Sequence, residues 1–133
     1  MSLSLELYCD GASRGNPGRA AYGFVIKSAD KIIDSRGGYL GITTNNVAEY
    51  QGLLYGLRRC LELHATHVIV RSDSLLLVRQ LNREYKIRSA HLRPLFDEAM
   101  ALIRLFSEVK LLHIPREQND LADAAANEAL DCR

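Results

Sequence analysis

The chain has 133 residues, 47% of them hydrophobic and 25% charged, with a formal net charge of +1. That length suits one domain, residues 1–133, able to bury roughly two-thirds of its unfolded surface without covalent staples. No apolar run approaches the ~18 residues of a membrane span, the N-terminus lacks the basic region of a signal peptide, and Cys9, Cys60 and Cys132 form neither a zinc spacing nor a disulfide framework; the expectation is a cytoplasmic monomer with free thiols and no membrane partner.

In chain order, Leu3, Leu5, Leu7 and Cys9 alternate with polar residues, which is the period of a strand. This strand is expected to end at Asp10. "YCDGASRGNPG", Tyr8 to Gly18, then reads as an overlong turn, since hairpin loops usually take about 2–5 residues. "AAYGFVIKS" and "KIIDSRGGYLG" are two further strands, with "SADK" as a tight turn between them. Three sequential strands with short links predict an antiparallel meander.

The period then changes. "TTNNVAEYQGLLYGLRRCLELH" carries Leu53, Leu54, Leu57 and Leu61 at helical spacing. Gly52 and Gly56 inside it would each cost about 1 kcal/mol relative to alanine, which points to close approach of a neighbour. "HVIVRSD" is a short strand and "SLLLVRQLNREY" a helix. "SAHLRPLFDEAMALIRLFSE" is a longer helix opened by a capping serine, with Pro94 in its first turn. "VKLLHIP" is a strand stopped by Pro115, and "QNDLADAAANEALDC" a final alanine-rich helix. The order βββ-α-β-α-α-β-α predicts an α/β fold. Three antiparallel strands and two parallel ones make a mixed five-stranded sheet with helices on both faces.

Charge is uneven along the chain. Residues 71–94 hold six basic side chains against two acidic, and residues 95–133 hold four against eight. A basic block in a near-neutral chain suggests an anionic partner, although a solvated helix face would look the same.

Four carboxylates fall at element ends. Asp10 and Asp73 follow strands expected to be parallel neighbours, where open α/β sheets place ligands. Glu49 and Asp123 fall in the first turns of helices. Each has a local explanation: an Asp-Gly turn for Asp10, a helix cap for Asp73, a capping box from Asn46 to Glu49 and the helix dipole for Asp123. Convergence is what these explanations leave out. Carboxylates about 4 Å apart repel by ~4 kcal/mol per pair at an effective dielectric near 20, so such a cluster takes up protons or cations. Hard oxygen donors select magnesium or manganese over zinc.

Four motifs in this order and spacing, "CDGASRGNPG", "TTNNVAEYQGLLYGL", "RSDS" and "HIPREQNDLADAAANEAL", span nearly the whole chain. Together they resemble the type 1 ribonuclease H family, in its short form without a hybrid-binding N-terminal domain or a basic protrusion. The resemblance implies a ribonuclease H-like fold and an endonuclease that hydrolyses the RNA strand of RNA–DNA hybrids, with double-stranded RNA as a second substrate. It implies Asp10, Glu49, Asp73 and Asp123 as catalytic ligands of two magnesium ions, which manganese can replace. Products would carry 5′-phosphate and 3′-hydroxyl ends. It also implies substrate contacts from Gly11, Asn16, Asn45, Asn46 and Ser74, and from Thr44 to a phosphate of the DNA strand. The loop histidine of many relatives is absent. His113 lies inside a strand and Arg116 occupies the loop, so Arg116 and Arg88 are the candidate phosphate contacts. The alternatives are a non-catalytic hybrid-binding module on the same fold and a DNA resolvase or transposase-like nuclease.

Overall fold

A computed structural model describes residues 2–132. Strands β1 (Ser4–Gly15), β2 (Gly18–Ser28) and β3 (Lys31–Thr43) form the meander. Helix α1 (Asn45–Glu62), β4 (His67–Ser72), α2 (Leu75–Leu81), α3 (Arg93–Ile103), β5 (Glu108–His113) and α4 (Asp120–Asp131) follow, with one 3₁₀ turn over Arg116–Gln118 before the last helix. The sheet order is β3-β2-β1-β4-β5. β1 pairs antiparallel with β2 and parallel with β4, and β4 pairs parallel with β5, as the crossover connections require.

Strand periodicity divides the core between the two faces. Leu5, Leu7 and Cys9 of β1 and Phe24 and Ile26 of β2 pack against Tyr50, Leu53, Leu54 and Leu57 of α1, with Ala99 of α3 behind them. On the opposite face Ala12 and Ala21 meet Ala126 and Leu130 of α4. The small residues there let α4 lie close over β1 and β2. The close approach expected of α1 is also present: a Cβ on Gly52 would stand 2.6 Å from the Asp10 carbonyl oxygen, so helix and strand backbones nearly touch beside the first carboxylate.

Several local expectations change. β1 does not stop at Asp10, and the overlong turn is an extension of the hairpin. Pairing with β2 runs without a break to Gly15↔Gly18, leaving Asn16 and Pro17 as the turn. The ladder to β4 does stop early, at Tyr8↔Arg71. Asp10 therefore lies just past the end of the parallel pairing rather than at the end of the strand, so its carboxylate still stands beyond the last paired residue of β4. The turn between β2 and β3 is as tight as expected. Ala29 and Asp30 both have positive φ, 49° and 67°, as a two-residue hairpin turn demands.

Three caps differ from those expected. Thr44, and not Asn46, caps α1: its Oγ1 accepts the Val47 N–H at 3.2 Å. Glu49 is thus free of a capping box and, as the fifth residue of α1, lies past the first turn in which it was expected. Ser74, and not Asp73, caps α2, accepting from the Leu77 N–H. Ser89 supports the turn before α3, where its hydroxyl accepts the His91 N–H, and the helix itself begins at Arg93 with Pro94 in its first turn.

Candidate active site

β1, the central strand, carries Asp10 just past the end of its pairing with β4, where it is buried and its Oδ1 accepts the Gly11 N–H at 2.9 Å. Gly11 serves the protein first. A Cβ there would lie 2.4 Å from the Glu49 backbone nitrogen, so only glycine lets β1 pass under the first turn of α1. That contact seats Glu49 next to Asp10. Asp73 follows the last residue of β4, and Asp123 lies in the first turn of α4.

Each carboxylate has its own orienting partner. The Ser74 hydroxyl donates to Glu49 while its oxygen caps α2, so one serine ties the α1 carboxylate to the start of α2. Asn119 is the residue the sequence reasoning missed. It is buried, and its Nδ2 donates to the Cys9 carbonyl at 2.9 Å and to Asp73 Oδ1 at 2.7 Å. Both partners are acceptors, which fixes the amide orientation. Its Oδ1 is buried without a hydrogen-bond partner. The signal available was "NDLAD", where Asn119 precedes Asp123 by one helical turn. Asp123 is held from the other side by Asn127, whose Nδ2 donates to its Oδ1 at 3.1 Å.

The electrostatics follow from this crowding. Burial, then the charge of Asp73, pushes the Asp10 carboxyl up to about 8 against the pull of the Gly11 N–H, and Asp123 and Glu49 add to the rise. Burial lifts Glu49 to about 7, opposed by the Ser74 hydroxyl and reinforced by Asp73. Burial and the same carboxylates push the Cys9 thiol up, so it stays neutral. Asp10 thus senses all three of the other acids, and Glu49 senses Asp73. Among the described residues, no group of three His, Cys, Asp or Glu side chains is placed so as to hold a metal ion. Hard oxygen donors that hold protons at neutral pH are nevertheless the chemistry that fits magnesium or manganese, because a cation relieves the repulsion protons now relieve.

The remaining candidates surround this space. Asn16 at the hairpin tip accepts the Asn45 N–H through Oδ1 at 3.0 Å, which leaves its NH₂ as a donor. Thr44 has its oxygen on Val47 and keeps its hydroxyl proton. Asn46 lines a groove of ≈ 560 Å³ shared with Gln80, Tyr85, Lys86 and Arg88. Arg116 opens the 3₁₀ turn and is exposed. His113 is a strand residue as expected, but it reaches the edge of the site, its Nε2 lying 3.3 Å from the Asp73 carbonyl oxygen.

Residues 8–129 match the family model described as reverse transcriptase-like. Ribonuclease HI of Halobacterium salinarum is 42% identical over 96% of this chain and 64% of its own length. A bifunctional protein of Mycobacterium tuberculosis is 39% identical over 97% of this chain and 36% of its own. The chain therefore spans about a third to two-thirds of these curated relatives. Among solved structures, ribonuclease H1 of Halobacterium salinarum superposes with a TM-score of 0.95 at 39% identity, covering 98% of this chain and 99% of that one. LC11 ribonuclease H1 in complex with an RNA/DNA hybrid gives 0.91 at 36% identity, covering 96% and 97%.

Proposed function

The chain belongs to the reverse transcriptase-like family, and on that premise we propose that it is a ribonuclease H domain, an endonuclease that hydrolyses the RNA strand of RNA–DNA hybrids. What supports this reading best is that the buried Asp10 carboxyl feels the charges of Asp73, Asp123 and Glu49, with Asp10 and Glu49 raised to about 8 and 7. A protein that only bound a polyanion would gain nothing from four acids facing it. The relatives named as ribonucleases H, one of them solved with a hybrid, support the same reading.

Asp10, Glu49, Asp73 and Asp123 would hold two magnesium ions, or manganese in their place, which supply an activated water and neutralise the leaving oxygen in phosphodiester hydrolysis. The protein's own part is orientation. The Gly11 amide, Ser74, Asn119 and Asn127 each fix one carboxylate, so little reorganisation remains when charge develops. The NH₂ of Asn16 and the amides of Asn45 and Asn46 are suited to 2′-hydroxyls, the groups that separate RNA from DNA. The Thr44 hydroxyl, Arg88 and Arg116 are suited to phosphates. Products would carry 5′-phosphate and 3′-hydroxyl ends. The unpaired cysteines agree with a cytoplasmic setting.

The test is cleavage of labelled hybrid, double-stranded RNA and duplex DNA side by side, with magnesium or manganese. Cutting of the RNA in the hybrid is expected. Hybrid bound at saturation and left whole would mean a binding module, and cutting of duplex DNA alone would mean a resolvase-like nuclease. The double-stranded RNA lane reports whether the second substrate implied by the family resemblance is accepted.

A further inference from the structure

The tip of the β1–β2 hairpin touches both helices that carry carboxylates. On one side Asn16 Oδ1 accepts the Asn45 N–H at the start of α1, the helix of Glu49. On the other side Arg14 Nη1 donates to Asn127 Oδ1 at 3.1 Å, and Arg14 Nη2 to Asp131 at 2.9 Å, both on α4, the helix of Asp123. Asn127 then donates through Nδ2 to Asp123, at 2.9 Å to its carbonyl and 3.1 Å to its Oδ1.

We propose that Arg14 and Asn127 form a positioning relay that links the hairpin tip to Asp123, so that seating of a duplex on the hairpin and placement of the fourth carboxylate are one event. The inference rests on the hybrid-cleaving reading for its substrate, and on the hydrogen bonds alone for its mechanics. Asn127 has an amide with two distinguishable ends. Its NH₂ faces two acceptors of Asp123, and its oxygen faces a guanidinium that can only donate. Turning the amide over would set oxygen against carboxylate and NH₂ against cation, so Arg14 keeps the donor aimed at Asp123. Arg14 is two residues from Asn16 on the same hairpin, so a push on the tip is delivered to this amide. Asp131 holds the second arm of the guanidinium and keeps the fork in the plane the amide needs. An exposed arginine–carboxylate pair of this kind adds little to stability by itself; the geometry gives it a use in orientation.

Asn127→Ala tests the relay because alanine is the better helix former, so a merely structural role predicts an unchanged or higher Tm. The relay predicts a kcat on hybrid lower by about 10-fold with KM within about twofold, and a Mn²⁺ affinity, measured by calorimetry on the substrate-free protein, lower by about 10-fold. Arg14→Ala should lower kcat by about 3-fold. The double variant should be no worse than Asn127→Ala alone, since Arg14 acts through Asn127. Wild-type kcat and Mn²⁺ affinity in Asn127→Ala, or losses that multiply in the double variant, would overturn the proposal. If the wild type fails to cut hybrid, the functional reading falls. The calorimetric comparison still decides the relay in that case: a Mn²⁺ affinity lowered by Asn127→Ala supports it, and an equal affinity in the two proteins, or no Mn²⁺ binding by the wild type, overturns it.

Discussion

The acidic end of the sheet and the basic connection between α2 and α3 border each other at Asn46, and they are built in opposite ways. Every carboxylate of the acidic site has an orienting donor, from the next residue on its strand, from another element or from a helix turn: Gly11 N–H, Ser74, Asn119 and Asn127. The basic connection, residues 82–92, has no regular structure, and Arg83, Lys86 and Arg88 are exposed on it. Its backbone is tied down at both ends, by the Glu84 N–H on the Arg79 carbonyl and by the buried Leu92, and the Arg79 guanidinium lies 5.3 Å from the centre of the Tyr85 ring, but its basic side chains stand free in solvent. Chemistry on one phosphorus needs groups fixed to within a fraction of an ångström. Attraction of a polyanion needs only positive charge within a Debye length, about 8–10 Å. The contrast predicts that changes in the first region act on kcat, and changes in the second on KM and its salt dependence.

The largest effect should come from Asp10→Asn. It removes one negative oxygen from the centre of the cluster and should lower kcat by at least about 10³-fold, with a native circular dichroism spectrum. Turnover at the wild-type rate would take Asp10 out of the catalytic machinery. Asn119→Asp comes next. It is isosteric, yet it sets an oxygen against the Cys9 carbonyl and Asp73 Oδ1, where Nδ2 now donates. A fall in kcat of about 10–100-fold with little change in KM is expected. An equal fall in KM-driven binding and kcat would show that the oriented side of the comparison is drawn too sharply.

The same crowding makes the site a weak point in the fold. Asp10 sits at about 8 against an ordinary value of 3.8, and Glu49 at about 7 against 4.5. The folded state therefore binds more protons than the unfolded state between those limits, and stability falls as pH rises from about 4 to about 8. In metal-free buffer the Tm should drop by on the order of 5 °C from pH 5 to pH 8, and millimolar Mg²⁺ should restore part of it by binding the folded state. Asp10→Asn should flatten most of that slope and raise the Tm at pH 8. A metal-free Tm that is level or rises over this interval would mean that the acids are not crowded.

These effects also mark what the sequence could and could not reveal. The element order and sheet type were legible because period two and period 3.6 alternate cleanly from Leu3 to Leu130. Asp73 and Asp123 were legible because they stand at element starts and ends. The extent of β1 was not. Gly11, Gly15, Asn16, Pro17 and Gly18 carry strong turn signals, and only pairing with β2 makes most of that stretch a strand. The caps of α1 and α2 were misread for a related reason: Thr44, Asn45 and Asn46 are all good caps, and tertiary contacts decide among them. Asn119 was missed because its role depends on the Cys9 carbonyl and Asp73, 110 and 46 residues away, and "NDLAD" marks only its place one turn before Asp123.

The smallest effect, and the one that sharpens the comparison most, belongs to Arg88→Ala. Arg88 is exposed on the irregular connection and lines the groove that begins at Asn46. If it meets one phosphate, its loss removes about one released counterion, so the slope of log affinity against log salt should become shallower by about 0.9 for duplex DNA-like charge density. KM should rise about 3- to 10-fold at 50–150 mM salt with kcat within twofold. The effect should fade at high salt, where screening already removes the attraction. An unchanged slope would clear Arg88 of a phosphate role. A fall in kcat instead would show that the connection takes part in orientation, because an exposed side chain with no fixed partner can lower the rate only if the substrate itself supplies the missing order.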